Sequence, residues 1–356
     1  MVGARPQFIK AAAVSREIAK HREIEEIIVH TGQHFDPTMS DIFFKEMEIP
    51  RPTYFLDVNS LDHGAMTGRM LEKIEGVLQS EQPDAVIVYG DTNSTLAGAL
   101  AAKKLHIDVV HVEAGLRSYN MDMPEEVNRV LTDRISDVLC CPTDHAVENL
   151  RREGFEHLKC SIIKTGDVMQ DAALYYSEIS AKRSTIIDRL KLNEVPFALC
   201  TIHRAENTDD HARLSSIVEA LNTIAREMRV VLPLHPRTSK ILRAEAIRLD
   251  FEPIDPVGYF DMLQLLKFCR IVLTDSGGLQ KEAFFFSKPC VTLRDETEWT
   301  ELCDSGANLL VGSQTDRIVR GFHEMLVRPV SFRNDLYGNG QASKRVVEGI
   351  LGTVTA

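Results

Sequence analysis

The tetrapeptide Asp275-Ser276-Gly277-Gly278 stands between a strand-like apolar run, RIVLT, and a helical pattern, LQKEAFFFSK. A turn of this composition lets backbone N–H groups approach a phosphate at the positive end of the following helix. Two glycines remove the side chains that would block that approach. Glu282 lies one helical turn further on, where it could accept from ribose hydroxyls. The same four residues also read as a plain helix cap, since aspartate and serine are good N-caps.

Carboxylates form the second group. Asp91 ends one apolar run, in YGDTNST, and Glu113 ends the next, in HVEAGLRS. In α/β sheets ligands bind beyond the carboxyl ends of strands. A carboxylate at the end of a buried strand is desolvated, which moves its proton affinity toward the range useful for proton transfer. Glu125 and Glu126 follow in MPEEVNR. A helix start favours glutamate for dipole reasons alone, so this pair reads equally as structural and as chemical.

Cations make the third group: Arg5 and Lys10 in GARPQFIK, Arg117 after Glu113, His203 and Arg204 in TIHRAEN, and His235 and Arg237 in HPRT. Each alone reads first as a surface charge or a satisfied histidine. Their placement after strands points to one lined cleft. No GxxxxGK[ST], strand-borne GxGxxG, Tyr-xxx-Lys pair, HExxH or GxSxG is present; YGNGQAS (337–343) lacks the third glycine. P-loop, dinucleotide, zincin and hydrolase-elbow chemistries are therefore not indicated, and no metal is expected.

The elements that must position these residues alternate between strand and helix. EIIVHTG, AVIVYGD (85–91) and NSTLAGALAAKKL (93–105) are followed by DVVHVEAG (108–115), VNRVLTDRIS (127–136) and DVLCCPT (137–143). Nearly continuous apolar strands between helices indicate a parallel sheet covered on both faces. After SIIKTGDVMQDAAL the series restarts with FALCTIHRAEN (197–207), SSIVEALNTIA, RVVLPLHP, RIVLTDSGG, KPCVTLRD and ANLLVGS. The expected division is 1–168 and 169–340, with a last helix at about 341–356 packing back on the first domain. Only Met1 and Val2 precede the Gly3 turn, so the strand expected there is either very short or shortened at its start.

A length of 356 residues favours two domains. A composition 44% hydrophobic and 26% charged is that of a soluble globular enzyme. The net charge of -11, with no basic run, argues against nucleic acid, while local arginines and helix ends can still hold a small anion. No apolar run reaches membrane-spanning length, and MVGARPQFIK lacks a signal-peptide plan. Seven cysteines without a CxxC pair read as reduced thiols in a cytoplasmic protein.

Taken together, GARPQFIK, TGQHFD, YGDTNSTLA, HVEAGLRS, PEEVNR, TIHRAEN, HPRT, DSGGLQKEA and RDETEW occur in this order across nearly the whole chain. The combination resembles the non-hydrolysing UDP-N-acetylglucosamine 2-epimerase family. The resemblance implies an α/β protein of glycosyltransferase-B fold, with two Rossmann-like, doubly wound parallel-sheet domains around a cleft. It implies a cofactor-free homodimer that interconverts UDP-N-acetylglucosamine and UDP-N-acetylmannosamine for cell-surface polysaccharide precursors. It places Arg5, His203, Ser276, Gly277 and Gly278 on the UDP diphosphate, with Arg204 beside them and Glu282 on the ribose. It places Lys10, Asp91, Glu113, Glu125 and His203 in catalysis.

The chemistry is consistent with that residue set. A sugar C2–H has no neighbouring carbonyl, so direct deprotonation is prohibitive. Expelling UDP from C1 needs charge stabilisation on the diphosphate. The resulting cationic character at C1 acidifies C2–H, and a carboxylate takes the proton to give a 2-acetamidoglucal. Re-protonation from the other face and return of UDP complete the inversion. Closure of the domains over the intermediate is expected, to exclude water.

The chain departs from the family pattern in two places. Many members carry QHRE and ERPE where this sequence has Gln33-His34-Phe35-Asp36 and Glu298-Trp299-Thr300-Glu301. In the usual bacterial members the first stretch belongs to an allosteric site for UDP-N-acetylglucosamine. With HGAMTGRML (63–71), the changes resemble a subgroup that includes 2-epimerases of UDP-2,3-diacetamido-2,3-dideoxyglucuronate. A hydrolysing 2-epimerase and a glycosyltransferase of the same fold are the further alternatives.

Overall fold

The apolar runs become strands because both faces of each central strand are covered. A computed structural model describes residues 1–33, 50–332 and 336–354; His34, Phe35 and Asp36 lie outside these, as does the side chain of Arg5. The chain divides into two compact units, Met1–Ala172 with Asn334–Ala356, and Ala173–Arg333.

In the first unit β1 (Val29–His30) pairs in parallel with β2 (Tyr54–Phe55). A parallel sheet of β3 (Ala85–Tyr89), β4 (Asp108–Val112), β5 (Val138–Cys141) and β6 (Ser161–Lys164) follows in that order. Met1 and Val2 occupy the strand position before Gly3. Val2 N donates to Val29 O at 3.0 Å, Thr31 N donates to Val2 O at 2.8 Å, and the Met1 amine donates to Ile87 O at 2.9 Å. The chain thus runs outward through β1 and β2 and returns to β3 on the other side of Val2, a reversal of strand order that opens a crevice at the strand ends.

Helices His63–Glu81 and Asn93–Lys104 cover one face, around Met70, Ile74, Val88, Ala97 and Val109. Burying a side chain such as Ile74 stabilises by about 1.5–3 kcal/mol. The alanines of Asn93–Lys104 let that helix lie close to the sheet. The last helix, Ala342–Val354, packs on helix Arg5–Ile18. Its first free N–H groups, of Ala342 and Ser343, donate to the Asp171 carboxylate at 3.1 and 2.8 Å.

In the second unit β7 (Phe197–Thr201), β8 (Arg229–Val231), β9 (Ile271–Thr274), β10 (Cys290–Thr292) and β11 (Asn308–Leu310) form one parallel sheet, ordered β11-β10-β9-β7-β8. One face packs on a cluster that includes Leu214, Leu221 and Phe322, the other on one that includes Leu266, Leu279 and Ala283. Strand order reverses between β7 and β9. Thr201 lies opposite Thr274, so the loops that begin at Ile202 and Asp275 leave the sheet side by side.

Candidate active site

In the first unit the register sets Tyr89 opposite Val112, so Gly90-Asp91 and Glu113 emerge together. Lys10, buried on helix Arg5–Ile18, donates to Glu113 Oε1 at 2.5 Å. Gly90 makes this approach feasible. Its φ is +62°, and a Cβ there would lie 3.1 Å from Lys10 Nζ and 3.5 Å from Glu113 Oε1. Glu113 itself has φ +74°, a left-handed conformation that costs a non-glycine residue energy and is found where the surrounding structure enforces it. Its N–H donates to Cys140 O at 3.1 Å.

Asp91 meets a cation as well. Arg129 Nη2 donates to Asp91 Oδ2, and Arg129 Nη1 lies 3.2 Å from Glu126 Oε2. Each of the two strand-end carboxylates is thus held by its own buried cation, which the sequence reading did not pair with it. Glu125 and Glu126 separate clearly. Glu126 is buried and accepts from Ser118 N, Ser118 Oγ and Tyr119 N, each at 3.0 Å, whereas Glu125 is exposed at the helix start.

Beneath this turn lies a buried polar chain. His111 bonds Asp133 Oδ1 through Nδ1 and the Gly90 carbonyl through Nε2, both at 2.7 Å. Arg117 Nη1 donates to Asp133 Oδ2 at 2.7 Å, and its Nε and Nη2 donate to Glu153 at 2.6 and 2.7 Å. Burial works against the charge of Asp133, but the hydrogen bond and charge of His111, and then those of Arg117, hold its carboxyl below the usual range. Arg117, expected among the cations lining a cleft, is instead consumed inside the fold.

In the second unit Ser276 caps helix Gly277–Phe285, its Oγ accepting from Leu279 N at 3.4 Å. A Cβ on Gly277 would fall 2.3 Å from Glu298 Oε1, while one on Gly278 would meet nothing closer than Ser276 Oγ at 4.0 Å. The first glycine is thus required by packing, and the second leaves the helix start open to an anion. Glu282 is buried one turn on. Burial disfavours the charge of Glu298, but Arg294, donating at 2.9 Å, its own backbone and the charge of Arg204 hold it below the usual carboxylate range.

Asp275 is not the cap. It is fully buried and accepts from the N–H of His203 at 3.0 Å, from that of Arg204 at 3.0 Å and from Asn207 Nδ2 at 3.2 Å. His203 Nδ1 lies 3.1 Å from its Oδ1, and the His203 side chain is 50% exposed. His235 caps helix Pro236–Ala244, and Arg237 pairs with Asp209. Among the described residues no cluster of three or more histidine, cysteine or acidic groups could hold a metal ion. No helix of the described residues is long and apolar enough to cross a membrane.

Comparison with known proteins identifies the family. Residues 16–351 match the family model described as UDP-N-acetylglucosamine 2-epimerase. The chain is 56% identical to the UDP-2,3-diacetamido-2,3-dideoxy-D-glucuronate 2-epimerase of Pseudomonas aeruginosa, over 98% of this chain and 97% of that one. It is 43% identical to the UDP-N-acetylglucosamine 2-epimerase of Methanocaldococcus jannaschii, over 98% and 96%. The crystal structure of UDP-GlcNAc 2-epimerase from that organism, in complex with UDP-GlcNAc and UDP, superposes with a TM-score of 0.89 at 43% identity, covering 99% of this chain and 98% of that one.

The chain belongs to the UDP-N-acetylglucosamine 2-epimerase family.

With this epimerase the two parallel-sheet units are the Rossmann-like halves of a glycosyltransferase-B fold. Two residues of its candidate site, Arg129 and His111, escaped the sequence reading, and a third, Asp275, was read only as part of the turn or cap. Each had a usable signal. Arg129 recurs within PEEVNR, His111 stands inside the apolar strand of HVEAG, and Asp275 begins the DSGG turn.

Proposed function

We propose that the chain is a non-hydrolysing, cofactor-free 2-epimerase of a UDP-linked 2-acetamido sugar, with UDP-N-acetylglucosamine as substrate. The single observation that carries this reading is the pairing of two strand-end carboxylates with buried cations, Glu113 with Lys10 and Asp91 with Arg129. A glycosyltransferase has no use for that set.

The second unit supplies leaving-group chemistry. The Ser276-Gly277-Gly278 helix start, His203 and Arg204 stabilise the diphosphate as the C1–O bond breaks and UDP departs with the bonding pair. Glu282 accepts from the ribose. The first unit moves the proton: a carboxylate among Asp91, Glu113 and Glu125 takes it from C2, leaving a C1=C2 double bond. A proton delivered to the opposite face of C2, with UDP re-adding at C1, gives the inverted sugar. Lys10 places its positive charge against Glu113. The same reading takes 1–168 and 169–340 as the two domains, and the protein as a cytoplasmic homodimer, which sedimentation would test.

A second substrate is favoured by a specific observation. The relative that acts on UDP-2,3-diacetamido-2,3-dideoxy-D-glucuronate is more similar, at 56%, than the Methanocaldococcus relative that acts on UDP-N-acetylglucosamine, at 43%. Proton NMR in deuterium oxide separates the two. Incubation with UDP-N-acetylglucosamine and no cofactor should place deuterium at C2 and form UDP-N-acetylmannosamine. Exchange only in the diacetamido uronate assigns that substrate instead, and exchange in neither removes the proposed function.

A further inference from the structure

His203 and Asp275 form a pair whose geometry the assignment of a phosphate-binding turn does not require. The carboxylate is fully buried, and every donor that reaches it comes from the loop after β7: two backbone N–H groups, the Asn207 amide and the His203 ring. Asn207 is itself tied to Leu293 O at 2.9 Å and to Arg213 Nε at 3.1 Å, so the clamp on the carboxylate is rigid. The ring uses Nδ1 for this contact and remains half-exposed, and among the described residues Nε2 has no hydrogen-bond partner. A buried carboxylate is satisfied by a donor, so Nδ1 carries hydrogen in this contact, and Nε2 donates as well when the ring is the doubly protonated imidazolium.

We propose that Asp275 is a positioning residue for the reaction: by accepting from Nδ1–H it fixes the orientation of the His203 ring, so that Nε2–H of the imidazolium can donate to the diphosphate oxygen of departing UDP. This rests on the function proposed above. The bond balance is simple. As C1–O breaks, the oxygen that gains the electron pair accepts a hydrogen bond or a proton from Nε2–H. On re-addition the proton stays with, or returns to, the imidazole. Asp275 stays ionised throughout, since burial opposes its charge but the His203 hydrogen bond and charge, together with the two backbone N–H groups, hold its carboxyl below the ordinary range. In serine proteases an aspartate that orients a histidine in this way contributes about ten-thousandfold to turnover, chiefly by selecting the tautomer.

The experiment has two arms on the full-length protein. In the first, nitrogen-15 NMR of the resting protein labelled at histidine reads the His203 ring, assigned through His203→Asn. Protonated Nδ1 is expected; an Nε2–H tautomer with bare Nδ1 overturns the proposal whether or not the enzyme turns over. In the second, Asp275→Asn should lower kcat about a thousandfold with KM for the UDP-sugar changed less than about threefold. In a His203→Asn background the same change should cost no further kcat, and Asp275→Glu should recover part of the loss. Multiplying losses, or a loss confined to KM, would overturn the proposal. If Asp275→Asn does not fold, the ring measurement on the wild-type protein decides. A wild-type enzyme silent on both UDP-sugars removes the function while leaving the ring measurement to stand or fall by itself.

Discussion

Among the described residues each unit contains one aspartate–histidine pair near the ends of its strands, and the two are used in opposite senses. In the first, His111 is fully buried; Nδ1 meets Asp133 and Nε2 meets the Gly90 carbonyl. Both ring nitrogens face acceptors, so the ring has nothing left to offer a substrate. What it does is hold the turn from which Asp91 projects. In the second, Asp275 is the buried member and His203 the half-exposed one. A histidine supports a carboxylate in one unit, and a carboxylate supports a histidine in the other. The same two residue types become framework or reagent according to which of them keeps an unfilled site facing solvent.

The largest effect that could break this comparison is on turnover. If the first unit's chemistry lies in carboxylates that His111 merely supports, Asp91→Asn should lower the rate of C2 exchange by up to about 10⁴-fold, the upper range of general acid–base contributions. UDP binding, which the proposed function assigns to the second unit, should persist. Deuterium exchange followed by NMR, with UDP titration by calorimetry, measures both. Near-normal exchange would leave Asp91 as a structural partner of Arg129 alone.

Next in size is stability. His111→Asn leaves Asp133 and Arg117 with an incomplete buried network, and breaking such a network costs roughly 3–5 kcal/mol. His203→Asn removes one partner of a buried carboxylate that keeps two backbone N–H donors and the Asn207 amide, and should cost less, about 1–2 kcal/mol. Scanning calorimetry of the two variants should therefore show a clearly larger shift for the first than for the second. Equal shifts would mean that the two pairs are alike after all.

A third histidine sharpens the contrast. His30 lies between the rings of Phe8 and Phe55, at 5.0 and 4.8 Å, and its Nδ1 accepts from Gly32 N at 2.9 Å. Burial pushes its pKa down to about 4, against a smaller opposing backbone hydrogen bond. The folded value is lower than the unfolded one, near 6.5, so the stabilisation is complete above pH 6.5 and is lost as pH falls toward 4. The loss is on the order of 3 kcal/mol. Urea midpoints should decline from pH 6.5 to 5 in the wild type and flatten in His30→Leu. A flat wild-type profile would show that His30 is free to charge in the fold.

The sequence made the framework legible and the pairings illegible, for a physical reason. Strands β4 and β5 read directly because, apart from half-buried Asp108, they are buried along their whole length and therefore, His111 excepted, apolar. Asp91, Glu113 and Ser276 were found because strand ends and helix starts are where parallel sheets expose polar groups. What each one binds depends on register and on helix rotation. Arg129 reaches Asp91 across 38 residues, and Asp275 reaches His203 across 72. Glu125 and Glu126 are indistinguishable to the helix dipole, yet one residue is about 100° of rotation, enough to bury the second on Ser118 and Tyr119 and leave the first exposed. The left-handed backbone of Glu113 had no signal in the residue type at all.

The smallest effect tests the division of labour itself. If nucleotide recognition resides in the second unit, one hydrogen bond to the ribose should be separable from catalysis. Glu282 is buried in the first turns of the helix that Ser276 caps, at a distance along the chain that places it past the diphosphate. A hydrogen bond to a charged group contributes about 1.5–3 kcal/mol. Part of this returns when water fills the space left by the side chain, so Glu282→Ala should weaken UDP roughly tenfold, about 1.4 kcal/mol. The rate at saturating substrate should hold, because the ribose keeps the same contact while C1–O breaks, and binding lost equally from ground and transition states leaves kcat unchanged. Calorimetric titration of UDP and saturation kinetics of C2 exchange give the two numbers. A fall in kcat with UDP affinity intact would place Glu282 among the reacting groups and blur the line between the unit that binds and the unit that moves the proton.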